Sequence, residues 1–225
     1  MCRLAKVFLL WSIVLFTSCA GMGVRPTAQS AFDQGLALFN RGEYEAALPH
    51  FAKATEIDPD FAQAYLYLGR TYLNLHRWRE AIPPLRTAYR LSPESMRKEV
   101  VNILIDALLG GALFEIERGN LSSSISYFKE VIELGPSSTQ VDRVVQGLLT
   151  LGGALLTQGQ VSQAIEVYQD AVNLAPDTPA PYLGLARALF KQGDLFQALQ
   201  VVRNAMQLDP TSRELRSFWQ ELQRQ

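Results

Sequence analysis

The chain has 225 residues, 48% of them hydrophobic, and a formal net charge of −1. That is enough apolar material for a sizeable core. The balanced charge, with no basic stripe carrying interleaved aromatics, excludes the electrostatic footprint of a nucleic-acid binder. The two histidines, His50 and His76, stand far apart with no cysteine near them, so neither belongs to a metal-ligand pattern, and no cofactor is predicted.

Residues 1–25 stand apart from the rest. Arg3 and Lys6 precede an apolar stretch, Val7–Phe16, followed by small residues, which is the layout of a bacterial export signal. The run Leu15-Phe16-Thr17-Ser18-Cys19-Ala20-Gly21 resembles a lipoprotein signal. That resemblance implies cleavage after residues 1–18 and a lipid on Cys19. Ser18 and Ala20 also fit an ordinary small-x-small cleavage site, which leaves a soluble periplasmic protein. A short uncleaved anchor between Lys6 and Arg25, or a start elsewhere, are the other readings. Under the lipidated reading, Ala20 stands where an inner-membrane retention signal would carry aspartate, which favours the outer membrane of a two-membrane bacterium. Both cysteines, Cys2 and Cys19, lie in this leader, so no intrachain disulfide is predicted. Without Arg3 and Lys6 the remaining 19 basic and 22 acidic residues give a net charge of −3. Residues 19–27 read as a short tether.

From about residue 28 one pattern recurs. Ala47, Phe51, Ala54 and Pro59 form the first copy; Ala81, Leu85, Ala88 and Pro93 the second; Ser124, Phe128, Val131 and Pro136 the third. Ala164, Tyr168, Ala171 and Pro176 form the fourth, and Ala198, Val202, Ala205 and Pro210 the fifth. From Pro59 to Pro93 and from Pro176 to Pro210 the step is 34 residues; around the third copy it widens to 43 and 40. A fixed period of this size marks a repeat architecture. Apolar residues three or four apart make each half of a copy helical. A small residue recurs in each first helix, at Gly35, Gly69, Ala112, Gly152 and Ala186, where it lets paired backbones approach. Gly42, Gly119, Gly159 and Gly193, with His76 in the second copy, sit where a first helix ends and φ turns positive. Pro49, Pro83 and Pro84 fall inside predicted second helices, where the lost hydrogen bonds are expected to be tolerated.

This pattern resembles the tetratricopeptide repeat family, a helix–turn–helix of about 34 residues. The resemblance implies an all-α fold: a right-handed α-solenoid of five helix pairs at about 28–61, 62–95, 105–138, 145–178 and 179–212. Residues 213–225, with Leu215, Phe218, Trp219 and Leu222 at helical spacing, are predicted to form a capping helix. The third copy departs most, with Glu115 where other copies carry Leu38, Tyr72, Leu155 or Leu189, and Ser124 in place of alanine. Its first helix is predicted to run from about Glu94 to Arg118. Between Val100 and Ile116 only Asn102, Asp106 and Glu115 are strongly polar, so that helix is either covered on nearly every side or leaves an apolar remainder for a partner.

The family's first helices line a concave surface that takes a partner's peptide or helix. Carried onto this sequence, the groove would present Phe32, Leu36 and Phe39, then Leu66, Arg70, Leu73 and Asn74. Further along come Leu109, Leu113 and Ile116, then Leu149 and Leu156, and finally Leu183, Arg187, Phe190 and Lys191. The Lys/Asn clamp of chaperone-tail binders is not matched, because Phe32 and Leu36 occupy its first sites. Ser122-Ser123-Ser124 reads as the start of a second helix rather than as a nucleophile, and Gly110-Gly111 and Gly152-Gly153 as close-packing positions rather than phosphate loops. No catalytic or metal residues are predicted. The expected function is a non-enzymatic scaffold at the cell envelope, binding protein partners and touching the membrane through the lipid. It resembles tetratricopeptide lipoproteins that help assemble outer-membrane, pilus or secretion complexes, or that dock cell-wall enzymes. The alternative is a self-associating structural component.

Overall fold

The computed structural model describes residues 27–224. Within them the chain forms eleven α-helices and no strand. The first pair is α1 (Ala28–Asn40) and α2 (Tyr44–Ile57), the second α3 (Ala62–Asn74) and α4 (Trp78–Leu91), the third α5 (Glu94–Glu117) and α6 (Leu121–Leu134). The fourth is α7 (Ser138–Thr157) and α8 (Val161–Leu174), the fifth α9 (Pro179–Gln192) and α10 (Leu195–Leu208), and α11 (Arg213–Leu222) follows. Each pair packs on the next, and each first helix also touches the neighbouring first helix from α1 to α9. No helix among the described residues is long and apolar enough to cross a membrane.

The pairs repeat because their turns repeat. Gly42, His76, Gly119, Gly159 and Gly193 all take positive φ, between 56° and 96°. After each of them the next N–H reaches back to the first helix: Glu43 to the Leu38 carbonyl, Arg77 to Tyr72, Asn120 to Glu115, Gln160 to Leu155 and Asp194 to Leu189. This closure satisfies carbonyls that the helix end would otherwise leave bare. His76 adopts the same geometry with a side chain, stacked edge-on against Trp78 at 5.7 Å. Pro49, Pro83 and Pro84 lie within continuous α2 and α4.

The two inserted stretches lengthen first helices instead of forming loops. α5 has 24 residues and α7 has 20, against 13 for α1 and α3. Residues 139–144, between the third and fourth repeats as read from the sequence, belong to the opening turns of α7. A capping box starts them: Ser137 and Gln140 satisfy each other's backbone N–H groups. Gln140 is itself buried and donates to the Asn102 carbonyl on α5 at 3.2 Å, tying the two long helices together.

In the first, second and fourth pairs one large side chain of the second helix lies over a glycine of the first. A methyl group added at Gly35 would sit 2.9 Å from the Phe51 ring, and one at Gly152 2.5 Å from the Tyr168 ring. Ala112 and Ala186 are wholly buried. On the second helices Ala47, Ala81, Ser124, Ala164 and Ala198 are all fully buried. One apolar core runs from α3 to α11; a smaller one, built on Phe32, Phe51 and Ala64, holds the first pair to α3. The cap covers the open end with Leu215, Phe218 and Leu222, and Ser212 caps it by accepting from the Leu215 N–H at 3.3 Å.

The third copy keeps its place despite Glu115. That residue is 1% exposed, and its carboxylate accepts from the Arg79 guanidinium at 2.5 Å and from the Asn120 amide at 2.7 Å. The hydrogen bond from Arg79 holds its pKa below the usual carboxylate range, against the opposing effect of burial. Ser124 is less well served: its buried hydroxyl has no hydrogen-bond partner among the described residues.

Candidate partner-binding face

Within the predicted groove, Phe32, Leu66, Leu109, Leu149 and Leu183 occupy one register position, each the first of its stripe. Four of the five are core. Phe32, Leu66, Leu109 and Leu183 are 7% exposed or less, so none of these four is a crest residue open to a partner. A helix side chain leans toward its own N-terminus. At this level of the first helix it meets the neighbouring copy. Phe32 is ringed by Phe51, Phe61 and Tyr67 with centroids 5.1–5.6 Å away, and Phe61 is the residue that leads into α3.

The wetter line comes one turn later. Leu36, Arg70, Leu113 and Arg187 stand at that level, with Gly153 in the fourth copy. Leu36 and Arg70 are partly exposed, Arg187 is exposed, and Leu113 is 43% exposed. Three residues further on, Phe39, Leu73, Ile116, Leu156 and Phe190 are all partly buried. Leu149 is partly buried, whereas Asn74 and Lys191 are exposed. α5 is therefore mostly a covered central helix, with Leu113 as its open apolar remainder.

The charged groove residues turn inward to the solenoid's own seams. Arg70 on α3 pairs with Glu99 on α5 at 3.2 Å and lies over the Phe39 and Tyr67 rings. Arg143 on α7 pairs with Asp106 on α5 at 2.7 Å, and Arg187 on α9 with Glu214 on α11 at 2.9 Å. Lys191 donates to the Leu156 carbonyl at 2.7 Å. Asn74 donates back to the Arg70 carbonyl at 2.9 Å. A parallel lacing joins the second helices, where Arg77 meets Glu45 and Arg86 grips Glu130 through two hydrogen bonds.

Two depressions open on this face. One, of about 410 Å³, lies between α5 and α7, with Leu113 on one side and Gln146 and Thr150 on the other. The larger, about 490 Å³, lies among α7, α9 and α11, with Leu149, Leu183 and Leu215 in its walls and Arg187 and Glu214 in its lining. Tyr168 reaches this second pocket from α8. In the sequence Tyr168 stands at the large position of the packing motif, which hides this placement. The signal available was its hydroxyl, where the equivalent Phe51, Leu85, Phe128 and Val202 have none. Among the described residues no cluster of three or more His, Cys, Asp or Glu is arranged to hold a metal ion. Cys19 lies outside the described residues.

Residues 35–75 match a family model described as TPR repeat, and residues 155–218 one described as tetratricopeptide repeat. Among curated relatives, the mouse protein O-mannosyl-transferase TMTC3 is 28% identical over 154 residues, covering 62% of this chain and 15% of its own length. The human mitochondrial import receptor subunit TOM70 is 29% identical over 133 residues, covering 59% of this chain and 21% of its own. The chain thus spans between about a seventh and a fifth of these relatives. Among solved structures, MamA aligns over 81% of this chain and 92% of its own with a TM-score of 0.47 and 20% identity. YrrB, described as a TPR protein with an unusual peptide-binding site, aligns over 86% and 92% with a TM-score of 0.45 and 19% identity. Repeats of this kind generally mediate protein–protein interactions. Tetratricopeptide repeats are thus recognised toward both ends of this chain, in a solenoid of five consecutive helix pairs closed by a capping helix.

Proposed function

We propose that the protein is a non-enzymatic adaptor of the bacterial cell envelope, held by lipid on Cys19 at the periplasmic face of the outer membrane. It takes an extended or helical segment of a partner protein along its first helices and brings that partner to an envelope complex. The observation that carries the binding reading is the crest of α1, α3, α5, α7 and α9. It keeps Leu113 exposed and Leu36, Leu73 and Leu156 partly exposed, while Arg70, Arg187 and Lys191 are engaged at the protein's own seams. The envelope reading is supported by the leader sequence, with soluble periplasmic export as its alternative.

The test has two arms. Metabolic labelling with an alkyne fatty acid should mark the wild type and leave Cys19→Ala unmarked; labelling of neither would leave conventional export. Leu113→Glu should weaken recovery of partners from solubilised envelopes while leaving helicity and melting unchanged. Leu66→Glu and Leu109→Glu are unsuitable for this purpose, because both would bury a charge in the core. Equal recovery by wild type and Leu113→Glu would remove the crest as the binding surface. Recovery of the chain alone, with concentration-dependent mass, would point to self-association.

A further inference from the structure

The large pocket among α7, α9 and α11 has a polar feature that the fold does not require. Tyr168 is 5% exposed, and its ring lies between Gly152 of α7 and Gly184 of α9, neither of which could carry a Cβ without meeting that ring. Two successive first helices thus give up side chains to let one tyrosine through. At the crest level the fourth copy also carries a glycine: a Cβ at Gly153 would stand 4.0 Å from the Tyr168 hydroxyl. That hydroxyl makes no hydrogen bond among the described residues and, unlike that of Ser124, is not sealed from solvent, so it is free to donate to a ligand in the pocket. Burial pushes its pKa up, partly offset by Arg187, so at neutral pH it is a protonated donor.

The surroundings define what it would meet. The walls contributed by Leu149, Leu183 and Leu215 are apolar. Arg187 is answered by Glu214 at 2.9 Å, so the charged part of the lining is neutral as a pair. An anion would face Glu214 and a cation would face Arg187. The volume of about 490 Å³ falls within the roughly 300–1,000 Å³ of ordinary ligand pockets. We propose that this pocket is the anchor subsite of the adaptor. It takes an uncharged apolar side chain of a partner peptide, while the Tyr168 hydroxyl donates to a neutral acceptor beside it, a peptide carbonyl or a carboxamide. This rests on the partner-binding reading above.

The experiment selects a phage-displayed random-peptide library on the full chain and titrates the best synthetic peptide calorimetrically into wild type, Tyr168→Phe and Leu113→Glu. Selected peptides should share an apolar residue without an adjacent charge. Tyr168→Phe keeps the ring in its cradle and removes one hydrogen bond, so affinity should fall about 3- to 10-fold with melting unchanged. Equal affinity for wild type and Tyr168→Phe overturns the subsite. If such peptides nevertheless lose affinity for Leu113→Glu, partner binding along the crest stands and only the anchor falls. Selection of charged motifs also overturns the anchor, and a library that yields no binder overturns both readings.

Discussion

Two adjacent glycines on α7 should respond to the same substitution with opposite signs. A glycine in a helix interior costs about 0.5–1 kcal/mol relative to alanine, so filling either position gains that much from the backbone alone. Packing then decides. At Gly153 a new methyl meets only the Tyr168 hydroxyl, at 4.0 Å, which is ordinary contact. Gly153→Ala should therefore stabilise by about 0.5–1 kcal/mol. At Gly152 the methyl falls 2.5 Å from the Tyr168 ring, which Gly184 hems in from the other side. Overpacking a tight core costs about 1–3 kcal/mol, which exceeds the backbone gain, so Gly152→Ala should destabilise by about 1–2 kcal/mol. Gly152→Leu should go further in the same direction. Urea denaturation followed by far-UV circular dichroism reads both. With a slope of about 1–3 kcal/mol per molar urea, the two midpoints should move apart by about 1 M. Slopes must be compared first, because repeat arrays do not always unfold in one step. In a Tyr168→Leu background the cost of Gly152→Ala should largely vanish. Shifts of the same sign at both glycines, or a Gly152→Ala cost that survives removal of the ring, would refute the proposed interlock.

The third copy offers two more tests. Ser124→Ala should raise stability by about 1 kcal/mol, since it removes a buried hydroxyl with no partner and restores the small apolar residue of the other copies; a loss of stability would show that the hydroxyl is hydrogen-bonded after all. Glu115 should make stability fall with acidification. Its folded pKa is lowered, chiefly by the hydrogen bond from Arg79. Its contribution is therefore present above the ordinary carboxylate pKa and is lost as pH drops through the lowered value. The wild-type-minus-Glu115→Gln difference in midpoint, measured from about pH 6 downward, should shrink toward acid. A difference that stays flat would mean that Glu115 gains nothing from Arg79.

Much of the architecture was legible because a repeat states its own rules five times. Alanine or serine, a large residue and another small one before each proline identify the second helix, and the positive-φ position identifies the turn. The long α5 could be read from its unbroken apolar run. The opening of α7 could not, because Ser137-Ser138-Thr139 has the composition of a connection. The informative feature there is the spacing from Ser137 to Gln140, which is that of a helix-starting capping box. Glu115 was visible as an exception, but its compensation was not, since Arg79 lies 36 residues away in sequence.

Which levels of the first-helix face stay open was not legible in the sequence, and the reason is geometric. Periodicity tells which face of a first helix is apolar; it does not tell which levels of that face the next copy covers. Phe32, Leu66, Leu109 and Leu183 carry the same periodic signal as Leu36 or Leu113, yet they end in the core. Charge misleads in the same way. Arg70, Arg187 and Lys191 look like partner contacts in the sequence, but each is engaged by an acid or a carbonyl of a neighbouring helix. Exposed ion pairs of this kind contribute little individually, but they neutralise the crest. A partner drawn by long-range attraction would find no strong field there. Discrimination must then come at short range, from apolar shape and from the few neutral polar groups on the face that have no partner within the fold. Tyr168, passed between two glycines into the larger of the two depressions described on the face, is the residue best placed to provide it.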